Sequence, residues 1–347
     1  MHEYLYAEDL VRVAVIAGVI VSTILYDRFQ LTTGGAVVPG YLALFVLAPL
    51  SIVVTLASAY VTYRIVNGPI AARVILYGRR KFEIEVLIGL AIVSVLYGIA
   101  QLRLGLPPFV TAVYGIGFVV PGLIAHDMFR QGPAKTVGTL VGAIAVVALV
   151  IFVMLTLGEI APIEGRSAPE LLGSAARGYS ETLLLPAIVV SVLAGLVIFR
   201  TIGLRTGGFV TAAYVALVSP DVRDLAFAAA VALATYAVVT RILSPRLLLF
   251  GRRKVAMMVL VAASLGWLAE VVIVALTNDA YHPWRGFNAI TLMVPALLAN
   301  DSERQGIERT VWGVTLATLA VLAATNLLTA VLDLVGATSA SASLPVG

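Results

Sequence analysis

The sequence predicts an all-α polytopic membrane protein that consists of two tandem homologous copies of about six membrane segments each. Three observations predict this fold class. The chain of 347 residues is 61% hydrophobic and only 12% charged, whereas about a quarter of the residues in a soluble domain are charged. Apolar runs of about twenty residues, the length of a membrane-spanning helix, recur throughout. Sequence motifs also repeat at an offset of 173 or 174 residues.

The internal repeat rests on three anchors that keep the same order in both halves of the chain. They are residues 33–35 (TGG) with 206–208, residues 77–81 (YGRRK) with 250–254 (FGRRK), and residues 127–132 (DMFRQG) with 301–306 (DSERQG). We therefore predict copy one over residues 1–157, an extracytoplasmic linker over 158–182, copy two over 183–336 and a loose tail over 337–347.

Copy one contains six predicted segments, at residues 9–26, 34–48, 50–67, 83–102, 108–126 and 136–157. The acidic N-terminus is not followed by a small-residue cleavage site, so we predict that the first segment is retained and is not a signal peptide. The second and fifth segments are unusual because each contains a VVPG motif, which a regular membrane helix would not favour.

The VVPG motifs lie in residues 34–43 (GGAVVPGYLA) and 117–125 (GFVVPGLIA). Glycine permits non-helical backbone, and proline suits the first turn of a helix. We predict an extended entry followed by a half-helix whose N-terminus lies inside the bilayer; for one isolated motif, a proline kink is the alternative. Half-helix N-termini attract anions, so the candidate substrate- or anion-binding residues are Gly34, Gly35, Pro39, Gly40, Tyr41, Gly117, Pro121 and Gly122.

The basic residues predict the topology, because Lys and Arg concentrate on short cytoplasmic loops. If all twelve segments cross and the N-terminus is outside, 17 of the 23 basic residues face the cytoplasm. If the motif segments are re-entrant, the split is 13 to 10. We therefore predict a multi-pass plasma-membrane protein with twelve crossings. Each copy would then be an inverted repeat of two three-segment units, a transporter-like plan. The basic residues left outside are Arg12, Arg103, Arg166, Arg177, Arg223 and Arg285.

The basic loops are either topological markers or docking sites for a partner protein, anionic lipid or a polyanion. The residues concerned are Arg79, Arg80, Lys81, Arg130, Arg252, Arg253 and Lys254. We expect Glu83 and Glu85 to pair with Arg79 or Arg80. His126 and the adjacent Asp127 are expected to be solvated and structural. Glu270 lies well inside a predicted segment, where a polar pairing is expected.

The chain has no cysteine and lacks the sequence motifs of a nucleotide-binding loop, a zinc protease or a nucleophile elbow. We therefore assign no catalytic residue, metal site or cofactor.

Four stretches resemble the PgsC/CapC family, the membrane component of poly-γ-glutamate capsule synthesis: residues 35–43, 75–82 (ILYGRRKF), 117–125 and 130–132 (RQG). These stretches extend through copy one. Copy two departs from the pattern, since Pro39-Gly40 becomes Ala212-Ala213, Gly122 becomes Ala296, and Gly115 and Gly117 become Ala289 and Thr291. We therefore expect copy one to hold the working site and copy two to have straighter helices.

The resemblance implies a non-catalytic membrane subunit that docks a cytoplasmic Mur-ligase-like, ATP-dependent glutamate ligase. It further implies an extracytoplasmic capsule-type subunit and a role in export of the anionic polymer, while leaving open whether the chain has any activity of its own. Contact with membrane lipid is expected, and a nucleic-acid partner is not. An autonomous secondary transporter for a small anion is the alternative, because inverted broken helices would suit it equally well.

Overall fold

The computed structural model describes residues 8–76, 78–103, 115–160, 177–249, 251–278, 280–284 and 288–334. Within these ranges the regular elements are helical. The α-helices are α1 (Glu8–Phe29), α2 (Val38–Ala43), α3 (Pro49–Ile65), α4 (Gly78–Arg103), α5 (Val120–Gln131), α6 (Pro133–Ile160), α7 (Leu184–Thr201), α8 (Thr211–Val218), α9 (Val222–Ala237), α10 (Gly251–Leu276), α11 (Asn288–Gln305) and α12 (Ile307–Leu334).

The order of the helices repeats, with α1–α6 in copy one and α7–α12 in copy two. In both copies the third helix continues into a π-helical turn, at Val66–Ile70 and at Val238–Leu243. Eight helices of the described chain, all except α2, α5, α8 and α11, are long and apolar enough to cross a membrane. The protein is therefore an all-α, multi-pass membrane protein, as predicted. Most of the predicted linker and the whole predicted tail lie outside the described residues.

The chain forms two compact units that do not coincide with the two sequence copies. Unit 1 comprises Met1–Ser174 and Phe227–Asn300, and unit 2 comprises Ala175–Ala226 and Asp301–Gly347. In unit 1, α1, α2 and α6 pack together, α3, α4 and α5 pack together, and α10 packs on α1. In unit 2, α7, α8 and α12 repeat the arrangement of α1, α2 and α6. The predicted units of three consecutive segments are therefore not packing groups, because the third helix of each packs with the first two helices of the other.

Both VVPG motifs start a helix, as predicted. Helix α2 begins at Val38 and α5 begins at Val120, each with its proline in the first turn. The chain ahead of α2 is non-helical, with φ of 77° at Gly34 and 122° at Gly35, a backbone conformation that favours glycine. The first motif is therefore a break in the helical structure. Ahead of α5 the chain forms a 3-10 turn at Gly115–Phe118, so the second motif also starts a new helix and is not a kink within a continuous one. Helix α2 has only six residues, which corresponds to about 9 Å.

The two copies differ at the second motif. Helix α11 is continuous from Asn288 and contains Pro295 inside it, whereas α5 begins beside the equivalent Pro121. The glycines ahead of Pro121 are replaced in copy two by Ala289 and Thr291, and both residues are better helix formers than glycine. The expected straighter helix is found here. It is not found at α8, which still follows a glycine pair with positive φ at 207–208.

The glycine of each VVPG motif lies where its short helix crosses the middle of a long one. A methyl group at Gly40 would lie 2.4 Å from the carbonyl oxygen of Ala14 on α1, and one at Gly18 would lie 2.3 Å from the Gly40 nitrogen. The same contact recurs between α5 and α4, where a methyl group at Gly89 would lie 2.7 Å from the Gly122 nitrogen. Both crossings bring two backbones together at a pair of glycines.

The C-termini of α1 and α5 and the N-termini of α4 and α10 lie together, and we call this part of unit 1 the basic end. Lys81 of α4 lies over the ring of Phe129 of α5, and Arg253 of α10 pairs with Asp27 of α1. A re-entrant topology would separate the GRRK loops from the ends of α1 and α5, so these contacts agree with segments that all cross. The number of crossings and their orientation stay predictions.

Arg12 does not lie in an outer loop, where the charge pattern placed it. Its side chain, 6% exposed, extends from α1 and donates to the carboxylate of Glu270 on α10 over 2.6 Å. Because an unpaired charge inside an apolar protein is costly, this ion pair accounts for the presence of both residues. The expected polar pairing of Glu270 is confirmed.

Candidate functional site

A cavity of about 350 Å³ opens at the basic end of unit 1. Its walls come from the C-terminal part of α1, the non-helical residues 31–36, the C-terminal half of α5 and the first turns of α4 and α10. The cavity is therefore lined both by the glycines that precede the first VVPG motif and by residues of the basic loops. A volume of this size lies within the range of small-molecule sites in proteins.

The buried Asp127 carboxylate fixes one wall of the cavity. This residue is only 1% exposed and accepts the backbone N–H of Gly34 over 2.8 Å. It also accepts hydrogen bonds from the guanidinium of Arg252. Asp127 was expected to be solvated, and that prediction is wrong: it is buried because it pairs with a cation and caps the non-helical backbone.

Gln131 holds the same non-helical stretch one turn further along α5. Its side-chain amide accepts the Thr32 N–H over 3.0 Å and donates to the Thr32 carbonyl over 2.6 Å. Residues 32–34 are thus held by a two-point clip, Asp127 and Gln131. Copy two repeats the clip, since Gly207 N–H donates to Asp301 over 3.0 Å and Gln305 makes both bonds to the backbone of Arg205.

Three arginines line the cavity, and they differ in how far they are neutralised. Arg252 pairs with Asp127, and Arg253 donates from Nε to Asp27 over 2.6 Å. Arg130 is exposed and has no ion-pair or hydrogen-bond partner among the described residues. Among the described residues that line the cavity, one guanidinium, that of Arg130, therefore has no ion-pair partner. Such a group suits carboxylates and phosphates.

A second pair of ionisable side chains, His126 and Glu85, lies at the cavity wall. His126 lines the cavity, and its Nδ1 lies 2.6 Å from a carboxylate oxygen of Glu85 on α4. The Glu85 side chain is completely buried and that of His126 is 25% exposed. The expected pairing of Glu85 with Arg79 or Arg80 is therefore wrong, and His126 is partly buried where it was expected to be solvated.

The structure brings together only some of the residues that the sequence nominated. Gly34 and Gly35 line the cavity together with Arg130, Arg252 and Arg253. The others lie elsewhere: Pro39, Gly40, Tyr41, Gly117, Pro121 and Gly122 are buried at or near the helix crossings, and Lys254 is half-buried.

The remaining residues of the first basic loop differ in exposure. Arg80 is exposed, while Lys81 is 5% exposed and donates to Asn67 over 2.6 Å. Lys81 is therefore a packing residue within unit 1 and is not presented at the surface. The side chain of Arg79 lies outside the described residues.

Two features of the cavity were missed by sequence reasoning, although a signal for one of them was present. Asp127 and Gln131 belong to the repeated anchor of residues 127–132, and both identities are kept at 301 and 305. That recurrence marked them as structurally important. The Glu85–His126 pair left no such signal, because copy two has Met258 and Asn300 at these positions. In the described part of the chain, no group of three or more His, Asp and Glu side chains could hold a metal ion.

The profile of the family described as capsule biosynthesis CapC matches this chain twice, over residues 17–137 and 190–311. Capsule biosynthesis protein CapC of Bacillus anthracis is 38% identical over 136 residues, and PGA biosynthesis protein CapC of Bacillus subtilis (strain 168) is 37% identical over 139 residues. Each alignment covers 39% of this chain and 88% of the relative. These alignments have the length of one copy. No solved structure matches the chain.

Proposed function

Because the chain belongs to the capsule biosynthesis CapC family, we propose that it is a non-catalytic membrane subunit of a poly-γ-glutamate-type synthesis and export complex. The family assigns it to capsule biosynthesis, and its relative from Bacillus subtilis is a PGA biosynthesis protein. In this proposal the chain docks a cytoplasmic ATP-dependent ligase of the Mur-ligase type, contacts an extracytoplasmic capsule-type subunit and helps the anionic polymer across the membrane.

The observation that carries this proposal is the clustering of cations at the basic end. Arg80 and Arg130 are exposed there, and Arg253 is only partly buried. An acidic ligase surface or a polymer rich in carboxylates would be attracted to such a face. Guanidinium groups add bidentate hydrogen bonds to carboxylates, which an ammonium group cannot supply in the same geometry.

The orientation in this proposal follows the distribution of Lys and Arg. The basic end faces the cytoplasm, where positively charged loops concentrate, and the N-terminus is outside. The two matched crossings at Gly40 and Gly122 support a repeat within copy one, because each joins the middle of a long helix to the start of a short one. In this proposal a transported polymer passes close to these breaks, as substrates do at the broken helices of transporters built from inverted repeats.

Family membership favours the capsule subunit over an autonomous transporter of a small anion. Relatives that align over 88% of their own length are capsule and PGA biosynthesis proteins. The broken helices α2 and α5 suit a polymer path and a small-anion path alike, so they do not separate the two functions.

Ligase docking is tested by co-purification from native membrane. We expect the double variant Arg80→Gln, Arg130→Gln to retain less ligase, because two exposed cations are removed. If each contributes up to ~1 kcal/mol, binding weakens by up to about thirtyfold. The residual binding should also depend less on salt, since screening acts on exposed charges.

The matched control for docking is Arg304→Gln, at the position of copy two that corresponds to Arg130. Arg304 is also exposed and also ends a motif helix. We expect this variant to retain the ligase. Retention of the ligase by the double variant at the wild-type level, with correct insertion, would show that the basic loops are topological markers.

A further inference from the structure

The carboxylate–imidazole pair Glu85–His126 distinguishes copy one from copy two. In copy two the equivalent of Glu85 is Met258, and the equivalent of His126 is Asn300. Met258 is completely buried and forms an apolar cluster with Val239 and Ala299. The same place in the repeat thus holds an apolar cluster around Met258 next to the neutral amide of Asn300 in one copy, and a buried carboxylate with an imidazole in the other.

Burying a carboxylate is costly unless it is paired, so an apolar core is the simpler solution for helix packing at this place. Glu85 is completely buried, and its Oε1 atom has no hydrogen-bond partner among the described residues. Copy two shows that the fold does not need the charge. A property other than stability therefore accounts for the pair in copy one.

That property is the fixed position of the His126 imidazole at the cavity. Its Nδ1 is held by Glu85 at 2.6 Å, and the residue lines the cavity. The ring also packs edge-on against Phe82, with centroids 4.8 Å apart. These two contacts, the T-shaped packing against Phe82 and the bond at Nδ1, restrict the rotation of the imidazole. Because Glu85 occupies Nδ1, Nε2 is the ring nitrogen that remains for a ligand.

Arg130 is the second donor at the same cavity, and it follows His126 by one helical turn of α5. The other two arginines of the lining already have carboxylate partners, Asp127 and Asp27. A carboxylate in the cavity would accept hydrogen bonds from Arg130 and from His126, and these charge-assisted bonds are stronger than neutral ones. The backbone of Gly34 and Gly35 lets a ligand approach without a side chain in its way.

We propose that this cavity of copy one is a binding site for a carboxylate-bearing ligand, in which Arg130 and His126 contact the carboxylate and Glu85 positions His126. The inference rests on the proposed function for the class of its ligand, a γ-linked glutamate chain. Copy two contributes Arg252 and Arg253 to the rim but holds no equivalent site of its own at Met258 and Asn300.

The test measures binding by the purified full-length chain, without ligase, of two probes. One is a γ-linked glutamate oligomer, and the other is the same oligomer with its side carboxylates amidated. We expect His126→Asn and Arg130→Gln each to lower the affinity for the glutamate oligomer by about tenfold, the loss of one charge-assisted hydrogen bond. The weak affinity for the neutral oligomer should not change, so the variants lose selectivity.

Positioning by Glu85 is tested with the residue that copy two carries. Glu85→Met should reduce selectivity for the charged oligomer in the same way as His126→Asn, while Glu85→Gln, which keeps an acceptor for Nδ1–H, should retain part of it. Where Glu85→Met fails to fold, Glu85→Gln decides the positioning role, and a selectivity equal to that of the wild type would contradict it. Arg304→Gln is the control that should bind both oligomers as the wild type does.

Equal affinities of the wild type and the folded His126→Asn and Arg130→Gln variants for the glutamate oligomer would overturn the proposal. A parallel loss for both oligomers would also overturn it, since that result indicates a structural role alone. If the chain binds no oligomer but still retains the ligase, this inference fails and the proposed function stands. If it binds the oligomer but retains no ligase, ligase docking fails and the carboxylate site stands.

Discussion

Four glycines mark the two places where a short helix meets a long one in copy one. At both crossings, Gly18 with Gly40 and Gly89 with Gly122, the nearest atoms to an added methyl group are backbone atoms. Backbone cannot rotate away as a flexible side chain can. The sequence nominated Gly40 and Gly122 as ligand-binding residues, but close helix packing accounts for them.

We therefore expect Gly40→Ala and Gly122→Ala to destabilise the protein by about 1–3 kcal/mol through overpacking. Thermal unfolding of the purified variants in detergent measures this. Gly138→Ala is the matched control, because no other group lies within 4 Å of a methyl group at this helical glycine. Unfolding temperatures of both crossing variants equal to that of the control would contradict the packing account.

The buried pair of Arg12 and Glu270 gives a second prediction for single residues. Glu270→Leu or Arg12→Met removes one member of the ion pair and leaves the other charge buried, so we expect each to destabilise by about 3–5 kcal/mol. The double variant Arg12→Met, Glu270→Leu should recover most of that loss, since an apolar pair suits the same surroundings. Unfolding of the four proteins forms a double-mutant cycle, and additive losses would contradict a direct pairing.

The sequence could not reveal this pair because its members are 258 positions apart. The charge pattern assigned Arg12 to the outside since it lies near the start of its helix. Glu270, by contrast, could be recognised as buried from the apolar residues on both sides of it. A long-range partner is a property of packing, which a single sequence does not contain.

At the scale of elements, the non-helical stretch before α2 depends on its clip to α5. We expect Asp127→Ala to release the Gly34 amide and to accelerate its hydrogen exchange by about 10–100-fold, the effect of losing a bond to a charged acceptor. Asp301→Ala should have the same effect on the Gly207 amide and leave Gly34 unchanged. Unchanged exchange at Gly34 in Asp127→Ala would show that the clip does not hold this stretch.

The breaks at the VVPG motifs could be predicted from glycine and proline chemistry, and so could the straightening of α11. Loss of two glycines ahead of Pro295 was visible in the sequence and explains why that helix continues upstream. The outcome at α8 could not be predicted, because Ala212-Ala213 favours helix while the glycine pair at 207–208 keeps the chain non-helical before it. Local propensity competes with the clip of Asp301 there, and the clip is a tertiary contact.

At the scale of the whole molecule, the all-crossing topology predicts opposite faces for two loops. Single cysteines replacing Gly132 and Ser167 in this cysteine-free chain should react with an impermeant thiol reagent from the cytoplasmic and the outer side, respectively. The reason is that α6 crosses the membrane between them. Labelling of Gly132→Cys from outside would contradict the orientation, and labelling of both from one side would contradict a crossing by α6.

The fold class and the tandem repeat were predictable because apolar length and repeated anchors are local properties of the sequence. The grouping of helices was not. Consecutive segments suggested units of α1–α3 and α4–α6, whereas α3 packs with α4 and α5, and α6 packs with α1 and α2. The cavity was partly predictable, since Gly34 and Arg130 were nominated for separate reasons. That they line the same cavity follows only from the path of residues 31–36 along α5.

The central claim is that copy one serves capsule synthesis through its basic end. The amount of polymer that a cell produces tests this claim most directly. In a cell that makes poly-γ-glutamate but lacks its own CapC protein, this chain should restore the polymer. The Arg130→Gln variant should restore clearly less polymer at equal membrane content, while Arg304→Gln should match the wild type. Equal polymer from both variants, or none from the wild-type chain when it is inserted and its partner proteins are present, would contradict the account.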